Sequence, residues 1–153
     1  MFKLLMIIFF SFVSLNAKML VGQNIPIFKL KDQFNTQHSP MIETKTIIFA
    51  FKKDTGHMLN KYFDQFKADY LTQKNALYVA DVSAMPAVIR FFVLGDLVEY
   101  KFPILFIEDE DVSKRYKHKD YEEKIVVVGL KNLKITNIQY LTNTKELKKI
   151  IDG

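Results

Sequence analysis

The sequence predicts an α/β domain three layers deep, with a central mixed sheet covered by helices on both faces. Three observations lead there. Apolar β-rich runs alternate with segments of helical spacing from Thr46 to Tyr116. Two further runs, joined by a short polar turn, then precede a final helix, which adds an antiparallel pair to an otherwise parallel pattern. The length, 153 residues, suits one domain and leaves little room for a second.

Lys18 to Leu30 reads as mostly extended, because Gly22 and Pro26 limit any helix, and Lys31 to Thr36 reads as a polar turn. Thr46 to Phe51 is an apolar run suited to a buried central strand, ended by Lys52-Lys53-Asp54. A helix follows, capped by Asp54 or Thr55, with Met58, Leu59, Tyr62, Phe63, Phe66 and Tyr70 at helical spacing. Leu77 to Val82 is the next strand. Ser83 caps a second helix, with Pro86 in its first turn and Gly95 as its stop. That helix is apolar on most sides. It is either buried between the sheet and an inserted segment or an exposed face that docks a partner.

Phe102 to Ile107 is a short strand, and the acids Glu108 to Asp111 start a helix reaching Tyr116, with Lys114 and Arg115 at its end as the helix dipole favours. Ile125 to Val128 is a strong strand. Lys131-Asn132 suits a hairpin turn, and the alternation from Leu133 to Tyr140 indicates a strand with one wet face. Asn143 and Glu146 stand at capping-box spacing before Leu147, Ile150 and Ile151.

Met1–Ala17 reads as a secretory signal peptide: Lys3, an apolar stretch from Leu4 to Val13, and Ala17 before the cut. The alternative is an uncleaved anchor in the inner membrane, facing the periplasm. The apolar run is about 12 residues where a bilayer needs roughly 20. The division is therefore a signal peptide over residues 1–17 and a single domain over 18–153. The expected location is periplasmic or secreted, and the membrane is involved only if the first segment stays attached.

The chain has 22 Lys+Arg, 17 Asp+Glu and no cysteine. The missing cysteine excludes disulfides, thiolate metal sites and thiol redox cycles. Basic residues are interleaved with acids, so no nucleic-acid face is expected. His38, His57 and His118 lack ligand spacing, and the acids at Glu108–Asp111 lack the pattern of a calcium loop, so neither metal nor cofactor is expected. No phosphate loop or nucleophile elbow is present. Lys52, Lys53, Thr55 and His57 gather at a helix start, where an anion or ligand can bind; the bland reading is a solvated, capped loop.

Three segments carry a family resemblance. Val21-Gly22-Gln23-Asn24-Ile25-Pro26-Ile27-Phe28-Lys29-Leu30-Lys31-Asp32, Ile48 to Thr55, and Phe102-Pro103-Ile104-Leu105 with Glu108 to Tyr116 resemble, in order, the opening, first core strand and loop, and later strand and helix of the redoxin/peroxiredoxin branch of the thioredoxin-like proteins. The resemblance covers about Val21 to Tyr116. It implies a thioredoxin-like α/β/α fold with an N-terminal extension and a redoxin-type insertion. Peroxiredoxins carry Pro-x-x-x-Thr-x-x-Cys on the loop that opens the first core helix. Here those positions read Phe51, Thr55 and Met58, so only the threonine survives. The family's transition-state arginine precedes the strand at Ile125, where Glu122, Glu123 and Lys124 stand. The Pro that thioredoxins place before that strand is also missing. The resemblance implies the fold without the thiol chemistry, and a binding or accessory role with a protein partner, ligand or second copy. The alternatives are an enzyme of a non-thiol class using the same loop, and a membrane-tethered accessory subunit.

Overall fold

The computed structural model describes residues 18–153, so the expected signal peptide lies outside the described residues. The elements are β1 (Leu30–Lys31), β2 (Gln37–His38), β3 (Thr46–Ala50), α1 (Lys53–Phe63), α2 (Tyr70–Gln73), β4 (Ala76–Asp81), α3 (Ala87–Asp96), β5 (Leu105–Ile107), α4 (Glu110–Tyr116), β6 (Ile125–Lys131), β7 (Lys134–Leu141) and α5 (Thr144–Asp152). The main sheet has the order β5-β4-β3-β6-β7. β3, β4 and β5 are parallel, while β6 and β7 run antiparallel. This is the mixed sheet that the alternation of elements predicts.

Strand periodicity sorts the core into two layers. Ile48, Ala50, Tyr78, Phe106, Ile125 and Val127 face one way and meet Leu59, Phe63, Leu71 and Leu147 from α1, α2 and α5. Ile47, Phe49, Val79, Leu105, Val126 and Val128 face the other way. They meet Tyr116 of α4 together with Ile25, Phe28 and Leu30 of the N-terminal segment. Phe49 stacks on Phe51 and on Tyr116, and the Tyr116 hydroxyl donates to the Pro26 carbonyl at 2.6 Å. Burial pushes that phenol up to about 12. The N-terminal segment is also tied to β7, through Ile25 N to Leu133 O and Gly22 N to Ile135 O, both 2.8 Å.

The structure corrects several expectations. The first core helix does not reach Tyr70; it ends at Phe63, a bend follows, and Tyr70 opens the separate turn α2. Length explains this: eleven helical residues span about 16 Å, and the five residues of β3 beneath them span about the same. A longer helix would overrun the sheet. Phe66 and Tyr70 keep their apolar role by stacking at 4.1 Å. Neither Asp54 nor Thr55 caps α1. Lys52 holds that position without a side-chain cap. Nor does Ser83 cap α3: it is buried, its amide donates to Asp81 Oδ1 at 3.0 Å, and the helix starts after Pro86. Gly95 keeps an ordinary helical conformation, and α3 continues to Asp96.

A further correction concerns burial. No residue of α3 is buried, and Val88, Phe91 and Phe92 are 71%, 75% and 65% exposed. Of the two readings of this helix, the structure therefore excludes the buried one. Its one cation, Arg90, turns inward and donates to the carbonyls of Ser83, Met85 and Glu108. The short end-hairpin turns at Asn132-Leu133, one residue later than expected, with both residues left-handed at φ 51° and 64° as a two-residue type I′ turn requires. Asn143 caps α5 as the spacing predicts. Its Oδ1 accepts from the amides of Lys145 and Glu146, and its Nδ2 donates to Glu146 Oε1 at 2.7 Å.

Candidate functional site

A parallel strand–helix–strand unit places the start of its helix at the carboxyl ends of the strands, where α/β proteins form their clefts. Here α1 begins beside the ends of β3 and β4, and α3 stands opposite. Between them lies a cleft of about 450 Å³. Its α1 side is a stripe at helical spacing: Lys53, Gly56, His57 and Asn60. The α3 side is apolar: Met85, Ile89, Val93 and Leu97, continued downward by Ile104 and Phe106. Tyr78 and Ala80 of β4 form the floor.

The Tyr78 hydroxyl and the Asp81 carboxylate, deep in the cleft, are already engaged. The Tyr78 hydroxyl is fully buried, donates to Asn60 Oδ1 at 2.9 Å and lies 3.3 Å from the Gly56 carbonyl. Desolvation raises its ionisation well above the usual tyrosine range. The Asp81 carboxylate accepts from Ser83 N at 3.0 Å and from Ser113 Oγ at 2.5 Å, and Lys117 Nζ lies 3.6 Å away. Asp81 thereby ties β4 to α4 behind the cleft. Gly56 leaves the α1 side open, since a Cβ there would meet only the Tyr78 hydroxyl, at 3.9 Å.

The residues singled out from the sequence separate into two groups. Lys52, Lys53 and His57 line the cleft with exposed side chains, and Phe51 lines its end. Thr55 does not line it: it is buried, and its Oγ1 donates to the Glu123 carbonyl at 3.2 Å, pinning α1 to the segment before β6. Met58 also lies outside the lining, 40% exposed on the far side of α1. Lys52 is paired with Glu122 at 2.9 Å. That hydrogen bond raises the lysine and holds the Glu122 carboxyl below its ordinary value. Glu122 and Glu123 are residues of the segment where a peroxiredoxin would carry its arginine, and here they serve as an anchor for Lys52 and for Thr55. Among the described residues, no three His, Asp or Glu side chains converge as a metal group would require, and no peptide bond is cis.

Gly56, Asn60 and Asp81 were not singled out from the sequence, whereas the apolar helix α3 was, as either a buried helix or a docking face. Asn60 carried a signal: it is the one polar residue in the run Met58–Phe63 apart from Lys61, and it falls on the side of α1 facing the sheet. For α3 the sequence left both readings open, since an apolar helix reads the same whether it is packed or open.

No family's sequence profile matches the chain, and no curated protein is significantly similar in sequence. Solved structures do match. A candidate thioredoxin from Neisseria meningitidis superposes with a TM-score of 0.57 at 17% identity, covering 85% of this chain and 89% of its own. The fold is thioredoxin-like. A candidate protein disulfide isomerase from Bacteroides thetaiotaomicron gives 0.56 at 14% identity, covering 87% and 86%. A peroxidoxin from Mycobacterium tuberculosis gives 0.55 at 13% identity, covering 88% and 95%. On this thioredoxin-like scaffold the chain places no thiol, because it contains no cysteine. A thiolate is the nucleophile in both thiol peroxidase and disulfide exchange chemistry, so the scaffold is present without the group that performs either.

Proposed function

We propose that the protein is exported and that it acts by binding, through the cleft between α1 and α3, in a role accessory to other components of the periplasm. The observation that carries the reading is the cleft itself. It is open, holds about 450 Å³, and retains exposed cations at the helix start after the reactive positions have become Phe51 and Met58. A cavity of that size is in the range of ligand sites. The exposed apolar residues of α3 beside it, Val88, Phe91 and Phe92, extend the surface that a protein partner or a second copy would cover. Export rests on the Met1–Ala17 pattern.

An enzyme of another class would need Thr55, His57 and a lysine to converge. Thr55 faces Glu123 and Lys52 is held by Glu122, which favours binding over catalysis. Two measurements test the proposal. N-terminal sequencing of protein recovered from the periplasmic fraction is expected to begin at Lys18; recovery only from the cytoplasm would overturn export. Titrating the ¹⁵N-labelled protein with envelope extract is expected to move the amides of Lys53, Gly56, His57 and Ile89. Shifts confined to α5 and β7 would overturn the role of the cleft.

A further inference from the structure

The two walls of the cleft differ in chemistry, and the difference indicates what fits between them. On the α1 wall, Lys53 is free of ion pairs among the described residues, and His57 adds a second exposed nitrogen donor one turn on. Asn60 follows, only 6% exposed; its Oδ1 is taken by Tyr78, and its Nδ2 has no hydrogen-bond partner among the described residues. These three groups form a ladder of donors along one face of α1, from Lys53 to Asn60. The opposite wall, Met85, Ile89, Val93, Leu97, Ile104 and Phe106, offers only apolar surface. We propose that the cleft binds a single-chain amphiphile, with its carboxylate on Lys53, His57 and Asn60 and its hydrocarbon chain along α3, Ile104 and Phe106. This rests on the reading of the cleft as a binding site and names the class of its ligand.

An extended peptide fits less well. Each of its residues brings an N–H and a C=O that must be paired when buried. Apart from the Asn60 amide, the depth of the cleft has few polar groups to give. Asp81 is spent on Ser83, Ser113 and Lys117. The outer edge of β5 is also closed to an added strand. Leu105 bridges to Asp32, and the Gln33 side chain accepts from Ile104 N and donates to Phe102 O. A hydrocarbon chain asks for none of these bonds. Its one demand, a cationic and donor-rich end, matches the α1 wall.

The test uses protein purified after expression of the full chain, with laurate below its micellar concentration as the probe. Dodecyltrimethylammonium has the same chain and the opposite head, and acetate has the head alone. Saturable one-to-one binding of laurate is expected, with amide shifts at Lys53, His57 and Asn60, and neither control ligand should compete. Lys53→Glu with His57→Glu should weaken laurate roughly tenfold or more, because it turns an attractive ion contact into a repulsive one. Ile89→Asp, at an exposed site that does not threaten folding, should weaken it comparably. Lys148→Glu on α5 should leave it unchanged. Equal binding of the ammonium amphiphile, or laurate affinity indifferent to the Lys53/His57 pair, would overturn the proposal. So would tighter binding of a tetrapeptide ending in leucine, which would assign the cleft to a protein tail. If laurate fails while envelope extract still shifts the cleft amides, the ligand class is wrong and the binding role stands.

Discussion

Removing one oxygen from the floor of the cleft, by Tyr78→Phe, tests how the site is held. The ring stays, so packing against Phe63 and Phe102 is preserved. The hydroxyl is lost, and with it the 2.9 Å bond to Asn60 Oδ1 and the 3.3 Å approach to the Gly56 carbonyl. A buried hydrogen bond contributes about 1 kcal/mol net, and an acceptor left without its donor adds to the loss, so the expected cost is about 1–2 kcal/mol. For a domain of this size that lowers Tm by about 3–8 °C. The cost depends on pH in a way that packing does not. Burial raises the Tyr78 phenol above its unfolded value, so the unfolded chain gives up its proton first. Stability from this group is complete below about pH 10 and is lost as pH rises above it. Phenylalanine has no proton to lose. The gap between wild type and variant, measured by chemical denaturation from pH 7 to 11, should be largest at neutral pH and shrink above about pH 10. An equal or more stable variant at pH 7, or a gap constant across the range, would refute the assignment of this bond and the burial behind it.

Gly56→Ala should stabilise the protein by about 0.5–1 kcal/mol, because alanine favours the helix and the added methyl meets only the Tyr78 hydroxyl at 3.9 Å; a lower Tm would mean that the α1 wall is tighter than described. Asn143→Ala removes the side chain that accepts from Lys145 N and Glu146 N and should cost about 1 kcal/mol, read by urea denaturation; an unchanged midpoint would mean that the cap is idle. Met58→Cys should not restore hydroperoxide turnover. Position 58 lies outside the cleft, Arg90 is committed to the carbonyls of Ser83, Met85 and Glu108, and Arg115 lines a pocket beside Lys18 and Tyr140 instead. Sustained peroxide consumption by that variant would show that more of the redoxin machinery survives than the geometry indicates.

The parts of the fold legible in the sequence are those where local chemistry and tertiary demand agree. β3, β4 and β6 are apolar runs buried on both faces, so their hydrophobicity alone marks them. The Asn143 cap is a purely local device and survives folding unchanged. The misread parts depend on what lies across a gap. Tyr70 has the spacing to continue α1, but the length of the sheet ends the helix first. Ser83 has the chemistry of a cap, but Asp81 takes its amide and Arg90 its carbonyl. Leu133 adopts a left-handed conformation that its residue type disfavours, because the hairpin requires it and its carbonyl receives Ile25 N. In the site, the exposed cations Lys52, Lys53 and His57 were legible, since charge at a helix start needs no partner to be noticed. The apolar wall was not, because sequence does not distinguish a buried Ile89 from an open one.

The central claim is that this thioredoxin-like scaffold persists without its redox chemistry. Steady-state turnover of a hydroperoxide and of a disulfide substrate by the purified protein tests it most directly. The account predicts rates equal to the buffer blank with either substrate, at every protein concentration. Turnover that scales with protein, resists further purification and follows the chain through a sizing column would contradict it.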